Sequence, residues 1–131
     1  MRPMDKWEEF SLSEISEKIS DGIHGTPKYD INGNYYFING NNLSNGKIVF
    51  NKNTLKVSTI EYEKIKKPLN RRTILVSING TLGNVAAYNN EDVCLGKSAC
   101  YIILKKNVCK DFIKYCLDND YFMMYADAFS T

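Results

Sequence analysis

Thr73-Ile74-Leu75-Val76-Ser77-Ile78-Asn79-Gly80-Thr81-Leu82-Gly83-Asn84-Val85-Ala86-Ala87-Tyr88 is the stretch whose reading decides the fold. Two runs of β-prone, apolar residues flank a turn that contains Asn79-Gly80. Asn and Gly tolerate positive φ, so Asn-Gly between two such runs signals a β-hairpin. The runs are long and apolar enough to be buried strands, and the tip, Gly80 to Gly83, is poor in side chains. A thin tip lets another molecule come close to the backbone.

Working outward from the hairpin, Ser98 to Leu104 reads as a further buried strand. Cys109, Phe112, Ile113, Cys116 and Leu117 then fall at i, i+3, i+4, i+7 and i+8, one face of a helix. Asn119-Asp120 restarts a second helix from Tyr121 to Phe129. Upstream, Ser58-Thr59 caps a basic helix that Pro68 stops. Short strands are expected at Tyr35 to Ile38, Ile48 to Phe50 and Leu55 to Val57. Phe10 and Leu12 alternate as an entry strand would, and Leu12, Ile15 and Ile19 have helical spacing. A first helix capped by Ser13 and ended by Asp21-Gly22 is therefore expected. Residues 23–46 are polar and irregular, with Asn-Gly pairs at 32–33, 39–40 and 45–46. Short strands early and helices late favour α+β, with a mixed, largely antiparallel β-sheet or partly closed barrel and flanking helices.

The 131 residues suffice for one domain with a real core. No run approaches the about 18 unbroken apolar residues of a membrane span. The N-terminus lacks the apolar core of a signal peptide. Cys94, Cys100, Cys109 and Cys116 include no Cys-x-x-Cys, and there is one histidine, which argues against zinc. The cysteines read as reduced thiols of a cytoplasmic protein. Net charge is only +2, but residues 47–72 carry eight basic and two acidic side chains. That basic segment suits a polyanion such as nucleic acid, or is a solvated lysine face.

Gly96-Lys97-Ser98 has the end of a phosphate-binding loop, but Glu91 stands where that motif needs its first glycine, and a strand follows instead of a helix. His24 is the one candidate general base and has no nucleophile recognisable by spacing. The acidic pairs suit a solvated face, and the Asn-Pro-Pro-Tyr signature of adenine methyltransferases is absent. The loops do hold what base reading needs. Asn39, Asn41 and Asn42 offer donor–acceptor pairs for adenine, Lys and Arg suit guanine or phosphate, and Thr methyls suit thymine. Asn is equally common in turns that bind nothing.

Trp7 to Ile15, then Ile19-Ser20-Asp21-Gly22-Ile23-His24-Gly25-Thr26-Pro27, resembles the start of a target recognition domain from the specificity subunits of type I restriction–modification systems. Tyr36 to Leu43, Gly46-Lys47-Ile48 and Ile74 to Ala86 continue that resemblance in order. Arg72-Thr73 stands where the family commonly has Gly-Asp. The resemblance implies a non-catalytic DNA-reading module without a cofactor of its own. It would read one half of a bipartite sequence in double-stranded DNA. Methyltransferase (M) subunits would supply the S-adenosylmethionine site, and through them a restriction motor (R) subunit would supply cleavage. Residues 1–131 are expected to be a single recognition domain that stops short of the spacer helix. The expected DNA-facing residues are His24, Thr26, Lys28, Tyr29, Asn39, Asn41, Asn42, Arg71, Arg72, Asn79, Thr81 and Lys97. Two other readings stand beside it: a protein-interaction module that docks through its C-terminal helices, and a small enzyme pairing His24 with a cysteine.

Overall fold

The computed structural model describes residues 12–77 and 85–117. Its elements are α1 (Leu12–Ile15), β1 (Ser16–Asp21), β2 (Tyr35–Ile38), a 3-10 turn (Gly40–Asn42), β3 (Leu43–Ser44) and β4 (Lys47–Ile48). Then come β5 (Leu55–Val57), α2 (Thr59–Ile65), β6 (Thr73–Ser77), β7 (Val85–Ala87), β8 (Val93–Leu95), β9 (Ala99–Leu104) and α3 (Lys110–Leu117). The entry strand, the hairpin tip and the second C-terminal helix expected from the sequence lie outside the described residues.

β6 and β7 pair antiparallel, Val76 with Val85 and Ile74 with Ala87, as the hairpin signal requires. They join an antiparallel sheet of order β1-β9-β6-β7. A second sheet, β5-β2-β8, has an antiparallel and a parallel pairing. The two sheets stack face to face without closing into a barrel. Between them lie Ile38, Leu75, Leu95, Tyr101 and Ile103, sealed at one side by Leu43 and Ile48 of the β3-β4 hairpin. On the outer face of the first sheet, Ile74, Val76, Val85, Ile102 and Leu104 pack against Ile113 and Leu117 of α3. On the outer face of the second, Phe37, Val57 and Cys94 meet Tyr62 and Ile65 of α2. α3 thus turns Ile113 and Leu117 to the core.

Two local expectations are corrected. The helix expected to reach Ile19 ends at Ile15, and Ser16–Asp21 is instead a strand paired with β9. A spacing of four keeps Ile15 and Ile19 on one face in either period, so the sequence could not separate them. Tertiary pairing decides: the Ile15 carbonyl accepts from the Lys105 N–H at 2.9 Å. The strand expected at Ile48 to Phe50 stops at Ile48, and Val49 and Phe50 turn outward, with the Phe50 ring 4.4 Å from that of Tyr36. The three described Asn-Gly pairs also differ in outcome. Only Asn45-Gly46 has positive φ at both residues, 52° and 81°, the conformation of a two-residue hairpin turn. Asn39-Gly40 instead opens the 3-10 turn.

Ser58 accepts from the Glu61 N–H at 3.2 Å and caps α2. Ser58→Ala should cost about 1 kcal/mol in denaturant unfolding. The thiols divide by burial. Cys94 and Cys100 are buried and each is pushed up to about 12, while burial also raises Cys116. Cys109 is exposed. Alkylation of the folded protein at pH 8, read by peptide mass spectrometry, should modify Cys109 first and spare Cys94 and Cys100 until denaturant is added.

Candidate nucleic-acid interface

Strand register sorts the chain's loops into two ends. β9 runs from Ala99, opposite Ser77, to Leu104, opposite Ser16. Asp21, Ser77, Val85 and Ala99 therefore share one end of the first sheet, and Ser16, Thr73, Ala87 and Leu104 share the other. The turn 96–98 carries the chain from β8 into β9 and so from one sheet to the other. The end of β2 meets it there, since the Gly96 N–H donates to Ile38 O at 2.8 Å. The exit of β1 arrives at the same place, where Ile23 N–H donates to Leu95 O at 2.8 Å and Gly22 N–H to Ala99 O at 3.1 Å.

Three segments thus converge at one end: 22–24, 39–42 and 96–98. Gly22 and Gly40 make the approach possible. A Cβ at Gly22 would strike the carbonyls of Leu95 and Gly96, and one at Gly40 would strike Ser77 and Ser98. Gly96 and Ser98 are buried, so Lys97 is left as the outward side chain of its turn. That is what the phosphate-loop-like tripeptide turns out to be, a tight crossover between sheets.

The expected contact residues fall into distinct groups. His24, Thr26, Asn41 and Lys97 are exposed at or beside the loop end. His24 Nε2 lies 3.0 Å from an Asp21 carboxylate oxygen. Asn41 makes no side-chain hydrogen bond with another described residue. Its two neighbours are committed. Asn39 Oδ1 accepts from the Ser98 hydroxyl at 3.0 Å. Asn42 Oδ1 accepts from the Asn39 N–H at 3.0 Å, and Asn42 Nδ2 donates to Val49 O at 3.1 Å. Asn39 and Asn42 therefore cannot offer a free donor–acceptor edge to adenine as they stand.

Lys28 and Tyr29 lie away from the loop end, where residues 23–30 cross the outer face of the second sheet. Lys28 N–H donates to Glu61 Oε2 of α2 at 2.7 Å. Tyr29 sets its ring edge-on to Phe37 at 5.9 Å. With Ile31, Lys52, Asn53, Leu55 and Lys56 it lines a shallow cleft of about 280 Å³. The long irregular segment is therefore pinned along much of its course.

Arg71-Arg72 and Lys97 bracket the hairpin in sequence, but the arginines sit at its base, on the opposite end from Lys97. From Thr73, next to Arg72, to Ser77 at the other end, β6 rises about 13 Å. Arg72 donates through Nε to Leu104 O at 2.9 Å and pairs with Glu17 at 3.1 Å. Beside them the Lys110 ammonium donates to Arg71 O at 2.6 Å and Tyr88 O at 2.8 Å. Burial holds its pKa below the usual lysine value. Asn79 and Thr81 lie outside the described residues.

His24 has a carboxylate partner, and burial holds two of the four thiols protonated. Among the described residues no group of three His, Cys, Asp or Glu side chains is arranged to hold a metal ion. No described helix is long and apolar enough to cross a membrane.

The sequence matches none of the curated proteins. The structure resembles the crystal structure of the HsdS subunit from Thermoanaerobacter tengcongensis, with a TM-score of 0.63 at 16% identity. The match covers 89% of this chain and 28% of that one, so the two share a fold over about a quarter of the longer subunit. Residues 4–125 match the family model of the type I restriction modification DNA specificity domain. That span is most of the chain, and the chain belongs to the family of type I restriction–modification DNA specificity domains.

Proposed function

We propose that the chain reads one half of a bipartite sequence in double-stranded DNA, as the recognition domain of a type I specificity subunit. The observation that carries this reading is the loop end. Three segments from both sheets converge there and display His24, Asn41 and Lys97 outward, with Thr26 exposed two residues beyond His24. The hairpin tip with Asn79 and Thr81 follows directly from Ser77 at that end. Base edges in the major groove are read by such short polar side chains held on a firm base.

Phosphate contacts fall to the outer face of the second sheet. Lys28 lies there beside α2, whose Lys64 and the following Lys67 add charge, and Lys52 and Lys56 line the cleft at its edge with Tyr29. Their contribution is electrostatic and sequence-independent. Arg72, tied to Glu17 and Leu104, holds β1, β6 and β9 together at the far end. Arg71 is exposed there and is available to a phosphate only if DNA wraps the base. Asn39 and Asn42 serve as supports for Asn41. Residues 1–131 act as a single recognition domain within a longer subunit. The chemistry resides elsewhere in the complex: M subunits bring the methyl donor and a motor subunit brings cleavage.

The test uses the complete specificity subunit assembled with its methyltransferase. Exchanging segments 23–34, 39–46 and 79–84 for those of another specificity subunit should change the sequence methylated, read by methylation-sensitive sequencing. An unchanged sequence would overturn the proposal. Asn41→Ala should relax discrimination at one base position by about 1–3 kcal/mol. Lys97→Ala should weaken binding to all sequences alike and lower the slope of log K against log salt by about 1.

A further inference from the structure

We propose that Asn39 and Ser98 are positioning residues for base discrimination, and that their hydrogen-bond relay makes the converging loops a single rigid reading body. The inference rests on the DNA-reading function proposed above. The relay runs from the Gly40 N–H to Ser98 Oγ at 2.8 Å and from the Ser98 hydroxyl to Asn39 Oδ1 at 3.0 Å. Asn39 Oδ1 also receives the Ser98 N–H at 3.5 Å. One amide oxygen on the strand exit of the second sheet thereby caps the turn that enters the first.

The relay's surroundings turn it into a junction of every described segment at this end. Ser98, Ser77 and Gly40 are buried together, and no Cβ fits between Gly40 and the Ser77 hydroxyl. Ser77 is the residue from which the chain leaves for the hairpin tip. From Asn39 the bonding continues through its N–H to Asn42 Oδ1 and through Asn42 Nδ2 to Val49 O, reaching past the β3-β4 hairpin. Asn41, whose amide has no partner among the described residues, is carried between two anchored residues. The Asn39 amide crowds Gly96, whose carbonyl in turn crowds Gly22. A shift in any one segment therefore moves the others.

Buried neutral hydroxyl and amide groups contribute little net stability when paired, and a lost partner leaves a polar atom unsatisfied. The larger consequence is geometric. Base-edge hydrogen bonds lose their worth outside a narrow range of distance and angle. Lysine–phosphate attraction falls off slowly with distance and tolerates a displaced loop. Loosening the relay should therefore reduce discrimination while sparing sequence-independent binding.

The experiment takes the complete subunit with its methyltransferase and a randomised double-stranded oligonucleotide library, from which the wild type enriches a preferred duplex. Affinity for that duplex and for a scrambled one is then measured across a salt series for Ser98→Ala, Asn39→Ala and Asn39→Asp. Asp keeps the acceptor oxygen, and its added charge acts on both duplexes, so their ratio remains informative. Ser98→Ala and Asn39→Ala should lower the preferred-to-scrambled ratio about 10-fold or more, within the range that one base contact confers. Affinity for the scrambled duplex and its salt slope should stay unchanged. Asn39→Asp should recover most of the ratio. Amide exchange over residues 39–42 should quicken in both alanine variants and not in Asn39→Asp.

An unchanged ratio in folded alanine variants would overturn the relay while leaving DNA reading intact. So would equal losses on both duplexes that follow the unfolded fraction. An Asn39→Asp variant as impaired as Asn39→Ala would assign Asn39 to direct contact through Nδ2 instead. If Ser98→Ala fails to fold, the half-buried Asn39 pair of variants decides. A wild type that enriches no sequence would instead refute the underlying reading.

Discussion

The burial of the β6–β9 pair on both faces is the constraint on which the rest of the molecule depends. All the described residues of β6 and β9 are withdrawn from water. Alternate side chains go to the α3 side and to the space between the sheets. An antiparallel sheet commonly leaves one face wet; here neither is, so its central strands lose alternation and read as unbroken apolar runs. Removing the second sheet would expose Leu75, Tyr101 and Ile103 at about 25 cal/mol for each Å² of apolar surface. The second sheet is in turn too small to stand alone and needs α2 on its outer face.

This layering separates two tasks in space. At one end the chain passes between sheets through the turn at Lys97, and glycine permits three segments to touch. At the other end Arg72 and Lys110 draw the strand ends together through carbonyl and carboxylate contacts. Cations that look equivalent in a list of basic residues thus have different work. Arg72 is held against Glu17 and a carbonyl, Lys66 pairs with Glu63, and Lys97 is exposed with no ion pair among the described residues. The basic surplus of residues 47–72 is divided among the β3-β4 hairpin, the second sheet with α2, and the base of the first sheet.

Periodicity revealed what was locally encoded. The hairpin strands, the last described strand, the amphipathic face of α3 and the serine cap of α2 follow from apolar spacing and turn chemistry, and each stands where those rules place it. The start of the chain misled because Ile15 and Ile19 satisfy two periods at once. Asn-Gly misled in another way. The dipeptide permits positive φ without requiring it, and neighbours chose among a hairpin turn at 45–46 and a 3-10 entry at 39–40. For the site, the residue types were legible and their availability was not. Nothing local tells that Asn39 and Asn42 are bonded to Ser98 and Val49 while Asn41 between them is exposed and has no side-chain bond to another described residue.

The sequence by itself determined the α+β class, the hairpin strands, helices α2 and α3 and the family, because these rest on short-range spacing and on motifs in fixed order. Only the tertiary structure decided which residues meet at the loop end and which are spent as supports. Asn39 meets Ser98 across 59 positions of sequence, and Arg72 meets Glu17 across 55. Such contacts are created by strand register and sheet stacking. These arise from burying both faces of one sheet, a long-range condition that local spacing does not specify.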